Sequence, residues 1–256
     1  GRASNEAAFL YQLFVRKFGT NNFPDCSNMC HEASGVGLKQ AIGIGKGTVT
    51  LEDFEHADAV FVFGQNPGTN HPRMLDTLRQ ASRRGAAVVT FNTLKERGLE
   101  RFTDPQSVKE MLTDSSTQIS QCYFTPKLGG DMAVVRGMVK ALGVIDSAEL
   151  AAGRASIFDH AFIVEHTQGL DEYLTAVEAT SWHEINEQAG LLQSEIEQAA
   201  RIYRQFKRVI ITCILYIFDA VDEGTSQSLR RPLNNSRQHK NPKPNTTNQI
   251  YSNHTK

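Results

Sequence analysis

The chain has 256 residues, 40% hydrophobic and 21% charged, enough apolar material for a substantial core and against wholesale disorder. Its 27 basic and 28 acidic residues give a formal net charge of −1, so it carries no electrostatic footprint for nucleic acid or an anionic membrane. The longest apolar run, Val209–Phe218, falls far short of the roughly 20 residues a bilayer span needs. Four cysteines are too few for a secreted disulfide scaffold, which points to a reduced, cytoplasmic setting. The first residue is Gly1, leading straight into a helical pattern with no signal-peptide layout, as expected of a piece of something longer.

Ser4 is placed to cap an amphipathic helix carrying Phe9, Leu10, Leu13, Phe14 and Phe18, and Gly19 to end it. A polar loop over 20–28 follows, then Cys30-His31 and a second helix through Leu38, Ala41 and Ile42, broken at Gly43–Gly47. Ala59–Phe63 is a short continuous apolar run, the pattern of a strand buried on both faces of a parallel sheet. The loop Gly64–Pro72, a helix from Arg73 to about Arg84 and a second buried strand, Ala86–Phe91, complete a βαβ unit ending at Asn92. The fold class is therefore α/β, an open, mostly parallel Rossmann-like sheet with flanking helices. Further on, Gly129-Gly130-Asp131 opens a helix over 132–142, with Asp131 as its expected N-cap. Helices are predicted over 158–166, 170–179 and 194–206, and another buried strand starts at Val209. From about Asp219 the chain turns rich in Ser, Asn, Thr, Gln and Pro, without periodicity.

Three places offer chemistry. Cys26, Cys30 and His31 combine thiols with an imidazole just before a helix, a setting that favours the thiolate and a soft metal. A structural zinc site would need a second Cys or His pair, which the chain does not supply; the plainer reading is a buried cysteine and a surface histidine. The loop Gly64–His71 follows a strand at the edge where open α/β sheets bind ligands. Gly64 and Gly68 permit close backbone approach, Asn66, Thr69, Asn70 and His71 offer donors, and the next helix N-terminus favours an anion. It matches neither a GxGxxG nor a P-loop pattern, and the competing reading is a loop that satisfies only its own backbone. Third, the Asp131 carboxylate beside Gly130 could accept from N1 and N2 of guanine, against the plainer role of capping a helix. In the mixed-charge stretch Lys95–Arg101, Arg97 or Arg101 could reach a phosphate, and spacing does not say which. Trp182, Cys122 and Cys213 read as packing residues.

Taken together, Asn21-Asn22 through Cys26, Cys30-His31 and Val36-Gly37-Leu38 resemble the active-site stretch of the formate dehydrogenase-like molybdopterin oxidoreductases. Ala57–Pro67 with Asn70-His71-Pro72 is similar to the first guanine-dinucleotide segment of that family; Asn92 with Glu96–Phe102, and Gly129–Ala133, are similar to the next two. The resemblance runs from about Ser4 to Ile211, and it implies a catalytic (alpha) subunit of the larger molybdopterin oxidoreductase fold. It implies a bis(molybdopterin guanine dinucleotide) cofactor with molybdenum or tungsten, Cys30 as metal ligand and His31 as proton acceptor. Gly64, Asn66, Asn70 and His71 would then contact diphosphate and sugar, Asn92 ribose or guanine, and Gly130-Asp131 the guanine edge. It also implies a small substrate, formate among those expected, and an electron-transfer partner.

Two departures matter. The portion that binds a 4Fe-4S cluster in many members has no counterpart here, so a cluster is expected in an intact parent and not on this chain. After Val209-Ile210-Ile211 the family's Gly-Met-Gly type loop is replaced by Thr212–Phe218 and the polar tail. The expected organisation is thus a partial oxidoreductase domain over 1–211 and a non-matching segment, disordered or frameshifted, over 212–256. The enzyme reading competes with a catalytically inactive nucleotide-binding or interaction remnant, and a generic flavodoxin-like domain ranks third.

Overall fold

The computed structural model describes residues 4–23, 32–45, 47–113 and 115–213. Its first helix, α1 (Asn5–Phe18), has the expected ends: Ser4 Oγ accepts from the Ala7 N–H at 3.2 Å, and Gly19 closes it at φ 90°. Its apolar stripe of Phe9, Leu10, Leu13, Phe14 and Phe18 stays exposed, and only Val15 is buried. α2 (Glu32–Ile42) ends at Gly43, φ 79°, as the glycine-rich break predicts.

The centre is a four-stranded, all-parallel sheet of β1 (Ala59–Phe63), β2 (Ala87–Phe91), β5 (Cys122–Phe124) and β6 (Val209–Cys213), in the order β5-β2-β1-β6. All five residues of β1 and all five of β2 are buried, which is why neither alternates: β1 is wholly apolar, and β2 is so except for Thr90, whose hydroxyl pairs with that of Ser120 at 2.7 Å. Each strand face has its own core. Ala59, Phe61, Phe63, Ala87, Val89 and Phe91 pack on α8 (Asp131–Ala151), α11 (Trp182–Ala189) and α12 (Gln193–Gln205). Val60, Val62, Val88 and Ile210 face the other way, against α3 (Asp53–His56), α5 (Pro72–Arg83) and Leu99. Helices on both faces make the sheet doubly wound.

Between β2 and β5 lie α6 (Arg97–Glu100), α7 (Val108–Thr113) and a two-stranded antiparallel ribbon of β3 (Arg101–Phe102) and β4 (Thr117–Gln118). Arg79 of α5 anchors this insertion through ion pairs to Asp104 at 2.6 Å and Glu110 at 2.8 Å. Between β5 and β6, α9 (His160–His166) and α10 (Leu170–Ala179) join the three helices already named.

Several expectations need correction. The loop after β1 contains a short helix, α4 (Pro67–Asn70), begun by a proline, whose fixed φ suits a helix start. The helix expected over 132–142 continues to Ala151, because Gly143 is tolerated within it and no breaker intervenes. α11 was not foreseen, although Ser181 caps it and Gly190 closes it. Asp131 is not an N-cap: Gly130 holds that position, and Asp131 is the first helical residue. The strand β6 runs two residues past the boundary at 211, with Thr212 almost fully buried. Residues 214–256, with the polar segment from about Asp219, lie outside the described residues. No helix among the described residues is long and apolar enough to cross a membrane.

Candidate functional site

The strand order decides where a ligand can sit. From β1 the chain steps to β2 and then β5 in one direction, and returns to place β6 on the opposite side of β1. The direction reverses between β1 and β6, and in open α/β sheets ligands bind outside the carboxyl ends of the strands at such a point. Gly64, Asn66, Asn92 and Cys213 all stand at this edge.

Gly64 leaves β1 at φ 64°, a conformation that favours glycine, and its N–H donates to the Phe91 carbonyl at 2.8 Å. A side chain at Gly64 would meet nothing within 4 Å, so the backbone here opens onto free space. Asn92, nearly fully buried, donates from Nδ2 to the Gln65 carbonyl at 3.2 Å and to Asn66 Oδ1 at 2.5 Å. Its own N–H donates to the Phe124 carbonyl, tying the ends of β2 and β5 together. Three strand ends are thereby fixed by one side chain and two backbone bonds. Asn66 Nδ2 and Asn92 Oδ1 take no part in these bonds.

Gln65 was not singled out from the sequence, yet it joins the two sides of the reversal. Its Nε2 donates to the Cys213 carbonyl at 3.1 Å and its Oε1 accepts from Thr212 Oγ1 at 2.5 Å. A lone Gln between Gly64 and Asn66 carries no local signal, since its partners lie almost 150 residues later. Asn70 and His71 follow in the α4 turn, where their N–H groups donate to the carbonyls of Asn66 and Pro67.

Gly130 and Asp131 sit beyond the end of β5, and the contacts of Gly130 run to α11. An added Cβ would lie 2.9 Å from the Ala189 carbonyl oxygen and 3.0 Å from that of Gln188. Helix packing therefore accounts for this glycine, while the Asp131 carboxylate is exposed and caps nothing. Cys26, Cys30 and His31 lie outside the described residues. Among the described residues no group of three or more metal-binding side chains occurs.

A cleft of about 1220 Å³ opens beside this edge, lined by Gly68, Thr69, Lys95, Arg97, Arg101 and Tyr123 among others. Arg101 is held by Ser116, from Nε to Oγ at 2.7 Å and from Nη2 to the carbonyl at 3.1 Å. Arg97 and Arg101 are both exposed and both line the cleft, and of the two Arg101 has its guanidinium engaged by Ser116.

No family model matches the chain. Relatives do. It is 54% identical over 211 residues to protein YdeP of Escherichia coli (strain K12), covering 82% of this chain and 28% of that protein. It is 44% identical over 211 residues to an uncharacterized oxidoreductase of Mycobacterium tuberculosis (strain ATCC 25618 / H37Rv), covering 82% of this chain and 26% of the relative. Formate dehydrogenase H of Escherichia coli (strain K12) is 29% identical over 208 residues, covering 81% and 25%. The chain is a homologue of these proteins, formate dehydrogenase H among them, over about four fifths of its own length. It spans about a quarter of the length of these relatives. Among solved structures, acetylene hydratase from Pelobacter acetylenicus matches with a TM-score of 0.54 at 18% identity, over 77% of this chain and 23% of that one. That likeness establishes a shared fold, the doubly wound α/β sheet of a larger enzyme.

Proposed function

We propose that this chain is part of a molybdopterin-dependent oxidoreductase and holds one guanine-dinucleotide arm of a bis(molybdopterin guanine dinucleotide) cofactor along the carboxyl edge of its sheet. The observation that carries the reading is the meeting of Gly64, Asn66 and Asn92 at the ends of β1 and β2, in a chain similar to formate dehydrogenase H over most of its length. The chemistry of the residues fits such a ligand: an open glycine backbone at φ 64°, the paired side-chain amides of Asn66 and Asn92 beside it, and an exposed carboxylate on Asp131. Asn70, His71 and the start of α5 would face sugar and diphosphate, where helix N–H groups favour an anion. Asp131, with Gly130 setting the turn before it, would accept from N1 and N2 of guanine.

Cys30 would ligate molybdenum or tungsten as a thiolate, and His31 would accept the proton released from substrate. When bound, the metal-pterin group would supply the two-electron chemistry. Formate is the expected substrate, by the name of one relative, with an electron-transfer partner outside this chain.

The test is metal analysis, with pterin fluorescence after acid release, on the chain produced together with cofactor biosynthesis. Near-stoichiometric molybdenum or tungsten, lost in Cys30→Ala, is the expected result. Absence of metal and pterin would overturn it and leave an inactive nucleotide-binding remnant of the fold. GDP binding by calorimetry, weakened in Asp131→Asn, tests the guanine contact separately.

A further inference from the structure

The helix starts next to the edge are not all open to a ligand, because a carboxylate of the protein already occupies some of their N–H groups. Glu96, in the turn after β2, accepts from the Leu99 N–H at 3.0 Å, and its carboxylate lies against the backbone of Gly68 and Gly98, close enough for their N–H groups to favour its charge. Gly68 belongs to α4, after β1, whereas Gly98 and Leu99 belong to α6, after β2. One carboxylate therefore bridges the two loops. The approach leaves no room for a side chain while the carboxylate stays in place: a Cβ on Gly68 would stand 2.1 Å from Glu96 Oε1, and one on Gly98 3.1 Å from it. The turn is braced from β5 as well, since the Tyr123 hydroxyl accepts from the Glu96 N–H and donates to the Leu94 carbonyl, both at 2.8 Å.

We propose that Glu96 is a positioning residue, a latch whose carboxylate holds the loop after β1 against the loop after β2 and so sets the separation of Asn66 and Asn92. Its bearing on a nucleotide rests on the function proposed above; the latch itself does not. A second consequence concerns the ligand's phosphates. With the N–H groups of Gly68, Gly98 and Leu99 filled by an internal anion, a diphosphate is directed away from α4 and α6 to Gly64, Asn66 and the first turn of α5. Burial pushes the Glu96 carboxyl above its usual range even against the three N–H groups that lower it. The charged and titratable groups bordering the same cleft are Lys95, Arg97, Glu100 and Arg101, with the Tyr123 phenol.

The experiment follows backbone amides of the chain by NMR between pH 4 and 8, in the wild type and in Glu96→Gln. Gly68, Gly98 and Leu99 are expected to shift along one shared titration curve, and that curve vanishes in the variant. Hydrogen exchange at residues 68–70 should accelerate by at least about tenfold, the loss of one charge-assisted hydrogen bond, while β1 and β2 keep their protection. Gly68→Ala, which displaces the carboxylate with Glu96 intact, should accelerate the same amides. Independent curves for the three amides, or unchanged exchange in both variants, would overturn the latch. GDP affinity is then compared: a weakening of about tenfold in Glu96→Gln ties the latch to the nucleotide. If the wild type binds no GDP, the proposed function fails while the amide titration still decides the latch.

Discussion

Thr212→Val probes the junction between β1 and β6, where the strand order reverses. Thr212 is 1% exposed and Gln65 5%, and the hydroxyl donates to Gln65 Oε1 at 2.5 Å. Valine matches threonine in shape, so the substitution removes one donor without opening a cavity, and it strands a buried amide oxygen. That should cost about 1–3 kcal/mol, the price of an unsatisfied buried polar group. With a urea slope of about 2–3 kcal/mol per molar for a chain of this size, the midpoint should fall by about 0.3–1.5 M. Gln65→Met should cost a similar amount, because it strands the hydroxyl and the Cys213 carbonyl. The double variant leaves one apolar pair and should lose less than the two single losses added, with a coupling of about 1 kcal/mol or more. Urea unfolding followed by circular dichroism gives all three values. A Thr212→Val midpoint equal to wild type, with additive single losses, would refute the reasoning and remove Thr212 from the cooperative fold.

Three other outcomes are expected. Asp58 is held below the usual carboxylate range, first by its hydrogen bond from Arg208, which pairs with it at 2.5 Å and links the starts of β1 and β6. A lowered folded pKa means the pair stabilises above the ordinary value of 3.8 and loses that contribution as pH falls through the folded value; Asp58→Asn should flatten this part of an acid-unfolding curve. Gly137 and Gly143, both within α8, should respond oppositely to alanine. A Cβ at Gly137 lies 2.9 Å from side-chain carbons of both Ile185 and Ile196, so overpacking of about 1–3 kcal/mol outweighs the helix gain and lowers the melting temperature. At Gly143 a Cβ meets nothing within 4 Å, and alanine should stabilise by about 1 kcal/mol; equal shifts at the two sites in calorimetry would contradict the packing. Lys140 caps the end of α10, its ammonium donating to the carbonyls of Glu178 and Thr180 at 2.8 Å each. Lys140→Met should lose about 1–2 kcal/mol and expose the 177–180 amides to faster exchange.

The chain's local chemistry wrote its elements plainly. Ser4 and Gly19 bound α1 because cap geometry depends on a few adjacent residues, and Ala59–Phe63 reads as a doubly covered strand because every position along it is apolar. The family resemblance was legible for the same reason, in short ordered segments around Gly64, Asn92 and Gly130. What sequence could not decide were relations between distant residues. Periodicity made α1 amphipathic, yet its stripe stays exposed, since a pattern specifies a face and not what covers it. A helix-start carboxylate suggested a cap at Asp131; backbone geometry gave that position to Gly130 and left the carboxylate exposed. Glu96 lay in what looked like a solvated charged stretch, and only the folding of α4 against α6 gathered three N–H groups around it. Strand order, too, is set by packing of helices on two faces, and it alone brings Thr212 to Gln65 across 147 positions of chain.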